Sequence, residues 1–151
     1  MREIKFRAWF KGKKYKVVAI DWQDDVIVSM HLKDKNEGVI KVYPEDDYGD
    51  KVVFEQYTNL KDKNGVEIYE GDIIRLCDGE ESVVEFGKIG YDSSWNGMTG
   101  FSIKRRYNDF YEDGNGFYEL WYHDDFNEIE VIGNIHEGEW KWKKYYYTQV
   151  L

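Results

Sequence analysis

One cysteine, one proline and no long uncharged apolar stretch set the first limits on this 151-residue chain. A lone Cys77 excludes an internal disulfide framework and a cysteine-rich zinc site. Without an uncharged apolar run, no transmembrane helix is expected. The opening Met1-Arg2-Glu3-Ile4-Lys5 lacks the form of a signal peptide. A cytoplasmic protein is therefore expected. No P-loop, Gly-x-Ser-x-Gly or dinucleotide fingerprint occurs. No helix of three turns stands out. The best helical prospects are a short piece within 105–126 and the tail.

Aromatics and acids are plentiful instead. Six Trp, 13 Tyr and 8 Phe make 27 aromatic residues. Such side chains suit half-buried strands and interfaces. Two small β cores would not comfortably bury them all, so a homo-oligomer is expected. Residues 1–55 hold 11 basic and 11 acidic groups, net 0; residues 56–139 hold 7 and 19, net −12. Residues 140–151 hold 3 basic groups and no acid, which brings the total to −9. A general grip on duplex DNA needs a basic domain, and the acidic middle argues against one.

Period-two alternation over Ile4–Phe10 reads as a strand. Strands at Tyr15–Trp22, Val26–Leu32, Val39–Tyr43 and Lys51–Thr58 follow, separated by polar turns. Val26, Val28, Met30 and Leu32 are expected on one face. Thr58–Asp72 breaks this pattern with the turn former Asn64-Gly65. Strands then resume at Ile73–Cys77, Ser82–Phe86, Phe101–Lys104, Phe117–Tyr122 and Glu128–Gly133. Short strands with Gly turns suggest a small barrel or sandwich. The expected fold is mostly β with little helix. It has an N-terminal antiparallel β unit (1–57) packed on a C-terminal SH3-like small β-barrel (58–139). The turn motif spans 56–74, and a basic-aromatic arm (140–151) follows. Trp140, Trp142, Tyr145, Tyr146 and Tyr147 in that arm are expected to pair across subunits.

Reactive constellations are sparse. Asp62-Lys63-Asn64-Gly65 fails calcium-loop spacing, because Leu60 would occupy the first ligand position. His123-Asp124-Asp125 offers metal donors, but neighbours on a strand face opposite ways. The acid pairs Glu80-Glu81 and Asp124-Asp125 read as solvated rims, and Cys77 as an inert thiol in an apolar strand. No cofactor or metal is expected. A metal-dependent hydrolase using the acidic block 109–130 is the runner-up reading. Lys5, Arg7 and Trp9 on one strand face, with Lys13 and Lys14 in the next turn, form a possible anion or single-stranded nucleic-acid patch.

Three segments together resemble the YopX family of phage and prophage proteins. They are Arg2–Trp9, Gln56–Ile74 and Val131–Glu137. The chain departs from the family's pattern at Phe10 and again after Glu137. The resemblance implies a phage-encoded, mostly β protein in a bacterial host, with an SH3-like part and no established activity. The residues carrying it suit a structural junction. Tyr57, Leu60, Ile68 and Tyr69 would pack; Asp62 and Asn64 would cap the turn, and Asp72 would accept backbone hydrogen bonds at the bend; Gly65 and Gly71 would permit the turn angles; Gln56 belongs to the central segment, and Gly133 and Asn134 to the last. The expected role is non-enzymatic, a binding or assembly module with an unnamed protein partner and no membrane partner.

Overall fold

The computed structural model describes residues 3–36, 38–44, 51–77, 79–89, 98–105, 117–119 and 128–137. All eleven elements among them are strands. The chain divides into two compact units, Met1–Tyr57 and Thr58–Leu151. The arm 140–151 and His123-Asp124-Asp125 lie outside the described residues, as does most of the block 109–130.

The first unit is an antiparallel meander. It holds β1 (Phe6–Phe10), β2 (Lys13–Gln23), β3 (Val26–Asp34), β4 (Gly38–Val42) and the first half of β5 (Val53–Lys61). The order is β4-β3-β2-β1-β5. Two-residue turns join β1 to β2 and β2 to β3. Both residues of each turn have positive φ: Lys11 at 51° and Gly12 at 73°, then Asp24 at 48° and Asp25 at 63°. This twist matches that of the flanking strands, so short turns can close these hairpins. Ala8, Phe10, Tyr15, Met30, Leu32 and Val42 form the buried cluster of this unit.

Alternation fails at two bulges, at Val18 and at Val28, and both valines are exposed. The β2–β3 register shifts between Val17 and Ala19, so Val17 and Ile20 both reach the cluster. It shifts again between Asp21 and Trp22, which leaves Val28 unpaired. Val26, Val28, Met30 and Leu32 therefore do not share one face. Val26 is 62% exposed, whereas Leu32 is fully buried. A bulge inserts one residue and reverses the in–out sense beyond it.

The second unit starts within β5. Thr58–Lys61 continues that strand and pairs with β6 (Glu67–Tyr69). The block 58–72 is thus a hairpin, not an interruption of strand structure. Its tip holds Gly65 at φ 78°. A second sheet has the order β10-β9-β8-β7-β11. Its strands are β7 (Asp72–Arg75), β8 (Glu81–Ile89), β9 (Met98–Arg105), β10 (Phe117–Glu119) and β11 (Glu130–Asn134). All the strand pairs recorded in it are antiparallel. Among the described residues this sheet is open at both edges. Ile68, Ile74, Leu76, Val84, Ile103 and Ile129 form its main cluster. Ile73 and Val83 point to the other face and pack against Ile132 and Ile135. Each such aliphatic side chain contributes about 1.5–3 kcal/mol by leaving water.

Candidate functional site

The basic stretch of β1 is tied into the sheet by an acid that sequence reading passed over. Glu55 on β5 lies directly opposite Arg7 and is 1% exposed. Its Oε2 accepts from Arg7 Nε at 2.5 Å and from the Trp9 indole N–H at 3.0 Å. Trp9 is only 6% exposed, and Lys14 Nζ lies 5.9 Å from its ring centroid. Lys5 meets Glu3 at 3.1 Å and sits 5.3 Å from the Tyr57 ring centroid. Lys13 begins β2 opposite Phe10 and is exposed. The anticipated patch is thereby corrected in part. Arg7 serves a buried carboxylate, and Trp9 has no open face on which a base could stack.

Asp62 organises the β5–β6 turn. It is 6% exposed, and its Oδ1 accepts from the amides of Asn64 (2.8 Å) and Val66 (2.9 Å). Oδ2 accepts from the amide of Val131 at 3.0 Å, 69 residues along the chain. The Lys63 amide adds a bond to the Ile129 carbonyl at 2.9 Å. Desolvation pushes the Asp62 pKa up, but the three amides and the nearby Lys63 outweigh it, so it lies below the ordinary value. A hydrogen-bonded carboxylate of this kind holds backbone in place. It is no general base.

Asp72 repeats the device one strand later. It is 1% exposed, accepts from the Tyr69 amide at 2.8 Å, and receives Asn134 Nδ2 at 3.3 Å. Asn134 Oδ1 in turn accepts from the His136 amide at 2.8 Å. Gly71, at φ 79°, donates to the Val84 carbonyl and accepts from Ile135. A side chain at that φ is strained, so glycine suits this bend. Gly133 lies at a register shift of β11 against β7. Tyr69 donates its hydroxyl to Glu67, Leu60 packs against the main cluster, and Tyr57 is buried. Gln56 is half-buried opposite Phe6, and Asn64 is exposed at the tip.

Three further groupings bear on chemistry. On the outward face of the first sheet, Asp21 receives the Ser29 hydroxyl and lies 3.6 Å from His31 Nε2 and 3.5 Å from Lys41 Nζ. The Ser29 bond, with Lys41 and His31, holds Asp21 below the ordinary carboxylate range against desolvation. A serine nucleophile needs its hydroxyl bonded to a base such as imidazole. Here the hydroxyl goes to the carboxylate. Elsewhere a shallow cavity of about 340 Å³ is lined by Lys63, Arg75, Cys77, Glu128 and Glu130, among others. Glu130 lies 2.9 Å from Lys63 and 3.9 Å from Arg75, so its cations are already paired. Cys77 is exposed in a turn, a correction to its expected place in an apolar strand. Among the described residues no three His, Cys, Asp or Glu side chains come together as a metal site. No helix among them is long and apolar enough to cross a membrane.

The family model described as YopX protein matches residues 5–139. The chain belongs to the YopX family. No curated protein gives a significant match. Among solved structures, protein EF1440 from Enterococcus faecalis is similar, at 21% identity and TM-score 0.43. That likeness covers 91% of this chain and 96% of the other. Within this YopX-family chain, the second and third segments that carry the resemblance meet through Asp62–Val131 and Asp72–Asn134, and the first meets the second through Phe6–Gln56 pairing. Sequence reading missed Glu55 and Ser29. Only the β1–β5 and β2–β3 registers reveal them, and no local pattern encodes those registers.

Proposed function

We propose that this YopX-family protein is a non-enzymatic binding or assembly module of phage or prophage origin. It would work in the cytoplasm of a bacterial host as a homo-oligomer. One observation carries the reading. The acids and amide in and beside the family segments, Glu55, Asp62, Asp72 and Asn134, are buried and spent on intramolecular hydrogen bonds. Catalytic groups need at least one lone pair or proton directed at a substrate. The second unit is read as an SH3-like barrel, supported by its short antiparallel strands and the Glu70-Gly71-Asp72 entry into β7. Calorimetric titration of the full chain with magnesium, manganese and zinc tests the non-enzymatic reading. No tight site is expected. A tight divalent site lost on substituting Asp124 and Asp125 would favour the metal-dependent hydrolase instead.

A further inference from the structure

We infer that the outward face of the first sheet, centred on Lys16 and Lys33, docks the acidic second unit of another copy of this chain. The register puts Glu55, Arg7, Lys16, Lys33 and Val39 in one row across β5, β1, β2, β3 and β4. Directly opposed residues share a face, so Lys16 and Lys33 stand side by side on the exposed side. Lys14 and Lys41 flank them on the same face, both exposed.

The two strand acids of this face are occupied. Glu55 is bound by Arg7 and Trp9, and Asp21 by Ser29 and Lys41. Among the described residues neither Lys16 nor Lys33 has an ion-pair partner. Like charges directly opposite one another on a sheet destabilise it. An anionic partner would remove that cost. Val39, 55% exposed beside Lys33, adds apolar area to the same row.

Charge complementarity names the occupant. Residues 1–57 carry 11 basic and 11 acidic groups, while residues 58–151 carry 10 and 19, net −9. The neutral unit thus shows a cationic face, and each copy brings its own acidic unit. Nucleic acid fits this face less well. Trp9 and Tyr57 on it are buried beneath Lys14 and Lys5, which leaves Tyr43, 53% exposed beside Lys41, as the open ring next to these cations, whereas single strands stack successive bases on several rings. A heterologous contact of this kind joins unlike surfaces, so it builds larger assemblies as concentration rises.

The proposal rests on the assembly reading above, and one experiment separates them. Sedimentation and light scattering of the full chain are followed from low to high micromolar concentration at ~0.01 M and ~1 M salt, where the Debye length falls from about 30 to about 3 Å. Self-association is expected at low salt and should weaken at least about tenfold at high salt. Both K16E/K33E and the milder K16Q/K33Q should weaken it at least about tenfold while melting remains cooperative. Labelled K16E/K33E should still bind unlabelled wild type, because its acidic unit is intact. A monomer under all conditions would overturn both the proposal and the assembly reading. Association that ignores both double variants, or a labelled variant that cannot bind wild type, would overturn the docking face alone. So would a chain that self-associates without Lys16 and Lys33 and uses them instead to bind a labelled single-stranded oligonucleotide.

Discussion

In the first unit the buried Glu55 carboxylate is held by two side chains, the Arg7 guanidinium and the Trp9 indole, whereas in the second unit Asp62 is held by three backbone amides. Both groups are almost inaccessible. The first arrangement stores a full opposite charge beside the carboxylate. The second spreads neutralisation over peptide dipoles that the turn itself supplies. Each unit is therefore vulnerable at a different group. Loss of one cation strands a charge in the first unit. In the second, loss of the carboxylate strands several backbone donors at once.

Arg7→Ala tests the first half of that contrast most severely. It leaves the buried Glu55 carboxyl without its cationic partner, and a loss of about 3–5 kcal/mol is expected in urea unfolding followed by Trp fluorescence. The paired change R7M/E55L should recover most of that loss. If the single and paired changes cost the same, Glu55 is not held by charge.

Asp62→Ala comes next, at about 2–4 kcal/mol, because the amides of Asn64, Val66 and Val131 lose their acceptor. Hydrogen exchange should show faster exchange at Val66 and Val131, with little change at β1 and β2. The same residue gives a pH signature. Its folded pKa lies below its unfolded value, so its stabilisation is complete above about 3.9 and fades as pH falls through the folded pKa. Melting temperature measured from pH 5 down to pH 2 should therefore fall less steeply in Asp62→Asn than in wild type.

Asn134→Asp sharpens the contrast from the other side. It places a second carboxylate against buried Asp72, where Asn134 Nδ2 now donates. A loss of about 1–3 kcal/mol is expected at neutral pH, shrinking in acid as one of the pair takes a proton. The smallest effect is on the surface. Lys33→Glu replaces a like pair with Lys16 by an opposite pair and should stabilise by about 0.2–1 kcal/mol in thermal melts at low salt.

Much of this was legible in the chain. Alternation located most strands of the first unit, and Asp24-Asp25 and Lys11-Gly12 marked its hairpins. Local turn chemistry also marked Asp62, Gly65, Gly71 and Asp72 as residues that shape backbone. The bulges at Val18 and Val28 were not legible, because they depend on how β2 and β3 slide past each other. The hairpin within 58–72 was hidden for a related reason. Its strand character comes from β5 running on past Tyr57 and pairing with a three-residue β6 too short to show a period.

The all-β class, the family, the turn formers and the uneven charge along the chain can all be read from residue order, since each depends on residue type and near-neighbour spacing. Which charges are spent on partners depends on long-range pairing. Arg7 is matched to Glu55 across 48 residues and Asp62 to Val131 across 69, while Lys16 is set beside Lys33 on an open face. Strand register makes those choices. It is set by burying Ala8, Phe10, Met30 and Leu32 together, a long-range condition that no short segment can state.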